Sequence, residues 1–498
     1  MNSLIESNKF KQLLMMLFNG LFILTFAYIW INITIHPNDV FYNMKNWMVV
    51  IGAIILFGLL FFIYQGLKRI KNPRYLVLIS LINLFIIIGL QIFFVKYFRV
   101  NPTWDFGDVF YSALELKDQF TQLQPYFYFK YPNNIPILLL YVAGMRFLDV
   151  FGVSRYLECF IALNMLVILL SLICLYIFVC RRTNYYQATL LSFLMLLITP
   201  LYTYTTIVYT DTLTIIFPIL SLLIYDFFYH SKNHSLKYVW LVLLGVVIAV
   251  GTLLKANVII TLVAIVIHYF MTKRWMKSLL FIVALLIPFA ITNYAYEKVI
   301  EPIIPVERSE LGFPSTHWVM MGLHHEGKVY GGYYHEDVNF TSDLKSSELT
   351  NKQLSERHLQ MIKSRLSQYG VRGYLEFLSQ KINYTWGEGT YYVPEKLSRS
   401  PLRENGYQPY IFGDQKGYFV YASQMAHLLM MSLVVIASFD LFKKRVSFEQ
   451  VLSITLFGVF LFLLIWETRS RYLVLYLPVI LALASEGLSV TTTGGSRK

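Results

Sequence analysis

Acidic side chains are scarce in this chain: 29 Asp and Glu among 498 residues, against 42 Lys and Arg. Charged residues of both signs reach only 14%, while 56% of positions are hydrophobic. A soluble domain carries about 25% charged residues, so the shortage excludes one and leaves a polytopic membrane protein. Cysteine is scarcer still. Cys159, Cys174 and Cys180 all fall in apolar segments, which excludes a disulfide framework in the polar part. Also missing are the GxGxxG, P-loop, GxSxG and HExxH patterns, so no nucleotide-binding fold, serine hydrolase or zinc protease is written into the chain and no cofactor is expected. No internal repeat or low-complexity tract is visible. The net charge of +13 does not point to nucleic acid, because in a membrane protein Lys and Arg gather in the loops that stay inside.

Apolar runs fill most of what remains. A hydrocarbon core needs about 20 apolar residues per helix. On that rule spans are expected near 13–35, 47–66, 74–97, 156–180, 185–206, 212–230, 237–253, 257–271, 277–296, 421–441, 449–466 and 470–489. The first run is long and no small-residue cleavage site follows it, so it is expected to stay as a span. One further run, "IPILLLYVAGMRFLDVFG" at 135–152, is short and proline-started. Charge decides its place. With Lys9 and Lys11 inside, Lys68, Arg69, Lys71, Arg74, Arg181, Arg182, Lys273, Arg274, Lys277, Lys443, Lys444 and Arg445 also fall inside, provided that 135–152 does not cross. It is therefore expected to lie along the outer interface. The fold class is all-α: a polytopic membrane protein with about 12 transmembrane helices, interfacial helices and both termini in the cytoplasm.

The polar clusters with chemical potential then all face outward: "WDFGD" near 105, "YTDT" near 211, "LLKAN" near 255, the stretch 297–420, and "ETRSR" near 467–471. The stretch 297–420 is rich in aromatics and Gly, and "KQLSERHLQMIKSRLSQYGVRGYLEFLSQKI" carries apolar residues at helical spacing. A mainly helical, extracytoplasmic cap is expected there. The chain divides into N-terminal spans (1–98), an outer loop with the acidic motif and interfacial helix (99–155), central spans (156–296), the cap (297–420), and C-terminal spans with a short tail (421–498).

Asp105 and Asp108 are candidate catalytic groups, since a carboxylate can serve as general base for an acceptor hydroxyl. Each has a plain alternative: Asp108 reads equally as a helix N-cap before "VFYSALELK", and Asp105 as a solvated loop acid. Asp211 begins a span and is either a dipole-stabilising cap or a functional acid. Lys255 interrupts a 33-residue apolar stretch, so it must find an anionic partner or reach the interface. Glu467, Arg469 and Arg471 open the last span. An arginine fork matches phosphate oxygens, and the alternative is an internal ion pair with Glu467 or Asp211. His317, His324, His325 and His335 fit no zinc spacing, so no metal site is expected; His317 and His324 stay as substrate-binding candidates beside Trp318, Tyr330, Tyr333 and Tyr334, which either stack on a sugar or fill the cap.

Taken in order, "WDFGDVFYSA", "YPNNIPILLLYVAGMRFLDVFG", "RRTNYY…LLITP", "GTLLKAN" and "SRYLVLYLP" resemble the motif series of the GT-C glycosyltransferases, over residues 99–489. These are integral-membrane enzymes that include protein O-mannosyltransferases and the lipid A aminoarabinose transferase. The region with "HWVMMGL…GGYYHEDV" and "WGEGTYY" is most similar to a Gram-positive branch, the exosortase-associated membrane glycosyltransferases. The resemblance implies transfer of a sugar from a polyprenyl-phosphate donor to a glycan, glycolipid or protein acceptor at the outer leaflet of the cell membrane. It carries the role of base or acceptor-positioning acid onto Asp105, with Asp108 second; Asp211, Lys255, Glu467, Arg469, Arg471 and Tyr472 stand beside them as substrate-binding candidates. The adjacent Asp-Glu of the mannosyltransferases is lacking, which leaves open which of the two acids is catalytic. A transporter or flippase for a lipid-linked glycan is the competing class, because twelve spans are common there and fold alone does not decide function.

Overall fold

The computed structural model describes residues 2–36, 42–118, 123–444 and 446–493, with side chains from residue 9 to residue 492. Arg445, one of the basic residues expected inside, lies outside the described residues. The architecture is all-α, and the only sheet among the described residues is a two-stranded hairpin, His325–Glu326 with Val329–Tyr330. Among the described residues nine helices are long and apolar enough to cross a membrane, including Pro73–Tyr97, Tyr156–Arg182, Thr210–His230, His234–Leu254, Gly417–Lys443 and Ser470–Thr492. They match nine of the twelve expected spans.

The other three expected spans are not straight crossings. The run 185–206 breaks into Tyr185–Leu197 and Pro200–Thr206, bent by 68°. Ile198 is extended, and Pro200, which has no N–H to give, starts the new turn. A break at membrane depth frees carbonyls that lipid cannot satisfy. Here Asn164, fully buried, donates to the carbonyls of Tyr204, Thr205 and Ile207 at 3.1–3.3 Å, and Gln91 donates to that of Leu201 at 3.0 Å. The remaining two, Ala256–Thr272 and Gln450–Ile465, are short. Sixteen helical residues span about 24 Å, less than the roughly 30 Å of a hydrocarbon core. They lie side by side. With the first helix, Asn2–Ile35, they enclose an apolar groove of about 420 Å³ lined by Phe18, Ile260, Val263, Ile267, Phe457 and Leu461 among others.

Burial is uneven across the bundle. The last helix is 94% buried over its most apolar window and Thr210–His230 is 72% buried, while the first three spans are only 22–28% buried and turn Leu, Ile and Phe outward. Such outward apolar faces belong against lipid. The centre is tight: a Cβ at Gly487 would collide with the Leu433 carbonyl of Gly417–Lys443, a close approach that small residues permit. At the end of the bundle far from the cap, the "RR" turn is an ion cluster rather than free positive charge. Arg181 reaches the fully buried Asp226 at 2.6 Å, Arg182 reaches Glu449 at 2.7 Å and Asp226 at 3.4 Å, and His230 meets Asp226 at 3.0 Å.

The run 135–152 forms the helix Ile135–Val150, packed on Trp104–Leu116. Ile137, Leu138, Tyr141 and Met145 are buried; Phe147, Val150 and Phe151 are exposed. In the polar stretch 297–420 the expected long helix is present as Asn351–Trp386, opened by a capping box of Thr350 and Gln353. Gly370, at φ 58° and ψ −174°, kinks it, a conformation essentially reserved for glycine. The half before the kink packs on Ser315–Met321 and His335–Ser346; the half after it descends onto the bundle.

Candidate functional site

Three segments far apart in sequence meet at Asp211. The carboxylate lies in the first turn of the short helix Thr210–Leu213, 4% exposed. One oxygen pairs with the Lys255 ammonium and the other accepts from Arg471 Nη1 at 2.6 Å. Lys255 sits where His234–Leu254 ends and the chain turns extended, which aims its side chain back at the cluster. It thus finds the anionic partner its depth requires. For Arg471 the internal ion pair is what the structure shows. Tyr472 completes the group: both cations lie over its ring, Lys255 at 5.4 Å and Arg471 at 4.6 Å, and its hydroxyl donates to Glu467 at 2.6 Å. Two cations against one directly paired acid leave a net positive pole.

Asp105 stands on the other side. Tyr126 donates its hydroxyl to Asp105 at 2.7 Å and accepts from Asn134, whose amide oxygen accepts from Tyr209, each at 2.7 Å. Tyr209 lies two residues before Asp211, so a chain of hydrogen bonds ties the acid to the cationic pole. Burial raises the Glu467 carboxyl above its ordinary range, and Asp105 is near enough to add a smaller push in the same direction. Asp108 is exposed, and the helix Trp104–Leu116 starts ahead of it with Thr103 at the N-cap. The capping reading of Asp108 is therefore corrected: it is the fifth residue of the helix, too late to meet the free N–H groups of the first turn. Partial desolvation by the surrounding protein, and then the neighbouring Asp105, raise its carboxyl.

Sequence reasoning missed Lys396. It lies in the helix Val393–Leu397, 5% exposed, its ammonium 3.7 Å from the centre of the Trp104 ring. Arg399 lies over the same ring at 5.3 Å. Trp104 and this loop are joined by pairing of 99–101 with 400–402: Asn101 N–H to Ser400 O and Leu402 N–H to Arg99 O, both 2.9 Å. Four of the five non-glycine residues with positive φ among the described residues are here: Trp104, Tyr391, Tyr392 and Ser400, at 46–68°. Backbone held in that region costs about 1–3 kcal/mol each and clusters at functional sites. The signal in the sequence was "WGEGTYYVPEKL", in which the aromatics and Gly stand out and the lysine does not.

Arg469 diverges from Arg471. Its guanidinium stacks on Tyr392 at 3.7 Å and Tyr384 at 4.5 Å, beside Glu388, which accepts from Ser470, Thr390 and the Tyr392 N–H. The segment 466–468 is stitched to the cap. Glu467 N–H donates to Trp318 O, Thr468 N–H to Gly331 O, and the buried Lys381 ammonium bridges the carbonyls of Gly322 and Trp466. His317 and His324 are not brought to this cluster. His317 is fully buried against Thr341, which also meets His358. His324 stacks on Tyr334 and pairs with Asp337, whose carboxylate is gripped by Arg365. No group of His, Cys, Asp and Glu with metal-site geometry occurs among the described residues.

Residues 7–492 match a family described as conserved hypothetical integral membrane protein, and the chain belongs to it. No curated protein and no solved structure matches the chain.

Proposed function

We propose, with this integral membrane family as the premise, that the protein is a GT-C-like glycosyltransferase. It moves a sugar from a polyprenyl-phosphate donor to a glycan, glycolipid or protein acceptor at the outer leaflet. The observation that carries the reading is the convergence, from five distant segments, of Asp105 with the buried charges of Asp211, Lys255, Arg471 and Lys396. An acid free of direct ion pairs facing a net positive pole is the arrangement that deprotonating an acceptor beside a leaving phosphate requires. The acceptor O–H loses its proton to Asp105 and its oxygen bonds to the anomeric carbon. The anomeric carbon–oxygen bond to phosphate breaks, inverting the configuration, and the polyprenyl phosphate leaves with the electron pair. Cationic side chains neutralise that phosphate, so the step has no obligatory need of a metal. The apolar groove supports a lipid tail, because the two short helices lining it are those whose ends lead to Lys255 and Glu467. In this reading the cap is extracytoplasmic and both termini are cytoplasmic.

The test is Asp105→Asn at normal membrane abundance, assayed with radiolabelled polyprenyl-phosphate sugar and purified protein. Loss of a general base lowers turnover by about 10²–10⁴. Undiminished product removes Asp105 from the role. A second reading, a flippase for a lipid-linked glycan, draws on the bent pair Tyr185–Leu197 and Pro200–Thr206, since broken helices mark many transport sites. Movement of intact donor between leaflets without its consumption decides for that reading.

A further inference from the structure

Lys255 and Arg471 are both engaged by Asp211, so the question is which cation is left to meet a substrate anion. Lys396 is nine-tenths buried, and among the described residues its ammonium donates no hydrogen bond and has no carboxylate within 4 Å. Burying an ammonium without a counter-ion is costly, and a cation–π contact recovers only part of that cost. Arg399 likewise makes no ion pair among the described residues, yet stands over the same indole. Two like charges are directed to one ring with the Arg471 guanidinium also in range, and Asp211 and Asp105, which act on Lys396 in the opposite sense, make no direct ion pair with it. The loop pays for this placement in strain at Tyr391, Tyr392 and Ser400, and Trp104 is strained as well.

We infer that Lys396 and Arg399, set on Trp104, form an anion subsite that receives a phosphate group. Two unpaired cations call for close to two negative charges. A phosphate monoester carries about −1.5 to −2 near neutral pH, whereas a carboxylate carries one. An ammonium and a guanidinium together also match phosphate oxygens, the first as a point charge and the second as a fork. Lys396 is buried and Arg399 exposed, so the anion enters from the water at the cap's edge and its inner oxygens meet the lysine. This deepens the reading of the cluster as a substrate site but does not require the transfer chemistry. The phosphate is either the head group of a prenyl lipid or free in solution.

The experiment is binding of farnesyl phosphate, with farnesol as control, to the full-length protein in nanodiscs. Farnesyl phosphate binds wild type, and binds Asp105→Asn at least as tightly, since that variant removes a negative charge near Lys396. Lys396→Met and Arg399→Gln each weaken binding at least about tenfold, and Lys396→Arg retains most of the affinity. Arg399 is exposed, so its variant tests the subsite even if Lys396→Met does not fold. Competition by inorganic phosphate, abolished in Arg399→Gln, supports the subsite with free phosphate as the source; no competition, with farnesol failing to bind, supports it with the lipid head group. Affinity of Arg399→Gln within twofold of wild type, or binding of farnesol equal to that of farnesyl phosphate, overturns the proposal. Activity lost in Asp105→Asn with phosphate binding intact, or the reverse, separates the two readings.

Discussion

Single residues in the cap carry their own titration. Burial and the neighbouring His358 press His317 down to about 3, and burial presses His358 to about 4, both from an ordinary 6.5. In the folded chain these imidazoles are neutral over a range where the unfolded chain is protonated, so the unfolded state binds more protons there. Their contribution to stability is complete above pH 6.5 and is lost as pH falls from there toward 3–4. Thermal unfolding of the purified protein should show a steep fall in midpoint across that interval. A His317→Gln, His358→Gln double variant should flatten it; an unchanged slope would mean the imidazoles are solvated. At the same scale the chain was partly legible. Lys255 announced its need of an acid because an ammonium in an apolar run has few options. Lys396 announced nothing, because in a polar stretch a lysine reads as solvated and its ring partner, Trp104, is nearly three hundred residues away.

At the scale of elements, hydropathy located helices well and breaks poorly. All twelve apolar runs are helical, and 135–152 forms the expected separate helix, because burial of apolar side chains is written locally. The bend after Leu197 and the shortness of Gln450–Ile465 depend on neighbours such as Asn164 that periodicity does not reveal. The kink at Gly370 is another such device, and it separates the part of Asn351–Trp386 that builds the cap from the part that reaches Thr468. Nothing lies within 4 Å of a Cβ placed there, so the cost of Gly370→Ala is conformational alone. It should destabilise the protein by about 1–3 kcal/mol in equilibrium unfolding. A neutral result would show that the helix straightens at no cost.

For the whole molecule, the reading of sides follows from loop charge, and labelling decides it. A single cysteine at Ser347, exposed on the cap, should react with a membrane-impermeant maleimide in intact cells, while one at Lys232, in the exposed turn after His230, should react only after lysis. The reverse pattern would turn the candidate site inward and remove the outer-leaflet donor from consideration. The burial gradient has a different consequence. The stretch 470–492, most enclosed of the spans, follows the others in the chain and leaves the ribosome after them. Until it arrives, Asp211 has Lys255 but lacks Arg471, its second cationic partner. The span therefore acts as a keystone: its insertion both closes the centre of the bundle and brings Arg471 to Asp211, so the charge cluster is completed only as that centre is sealed.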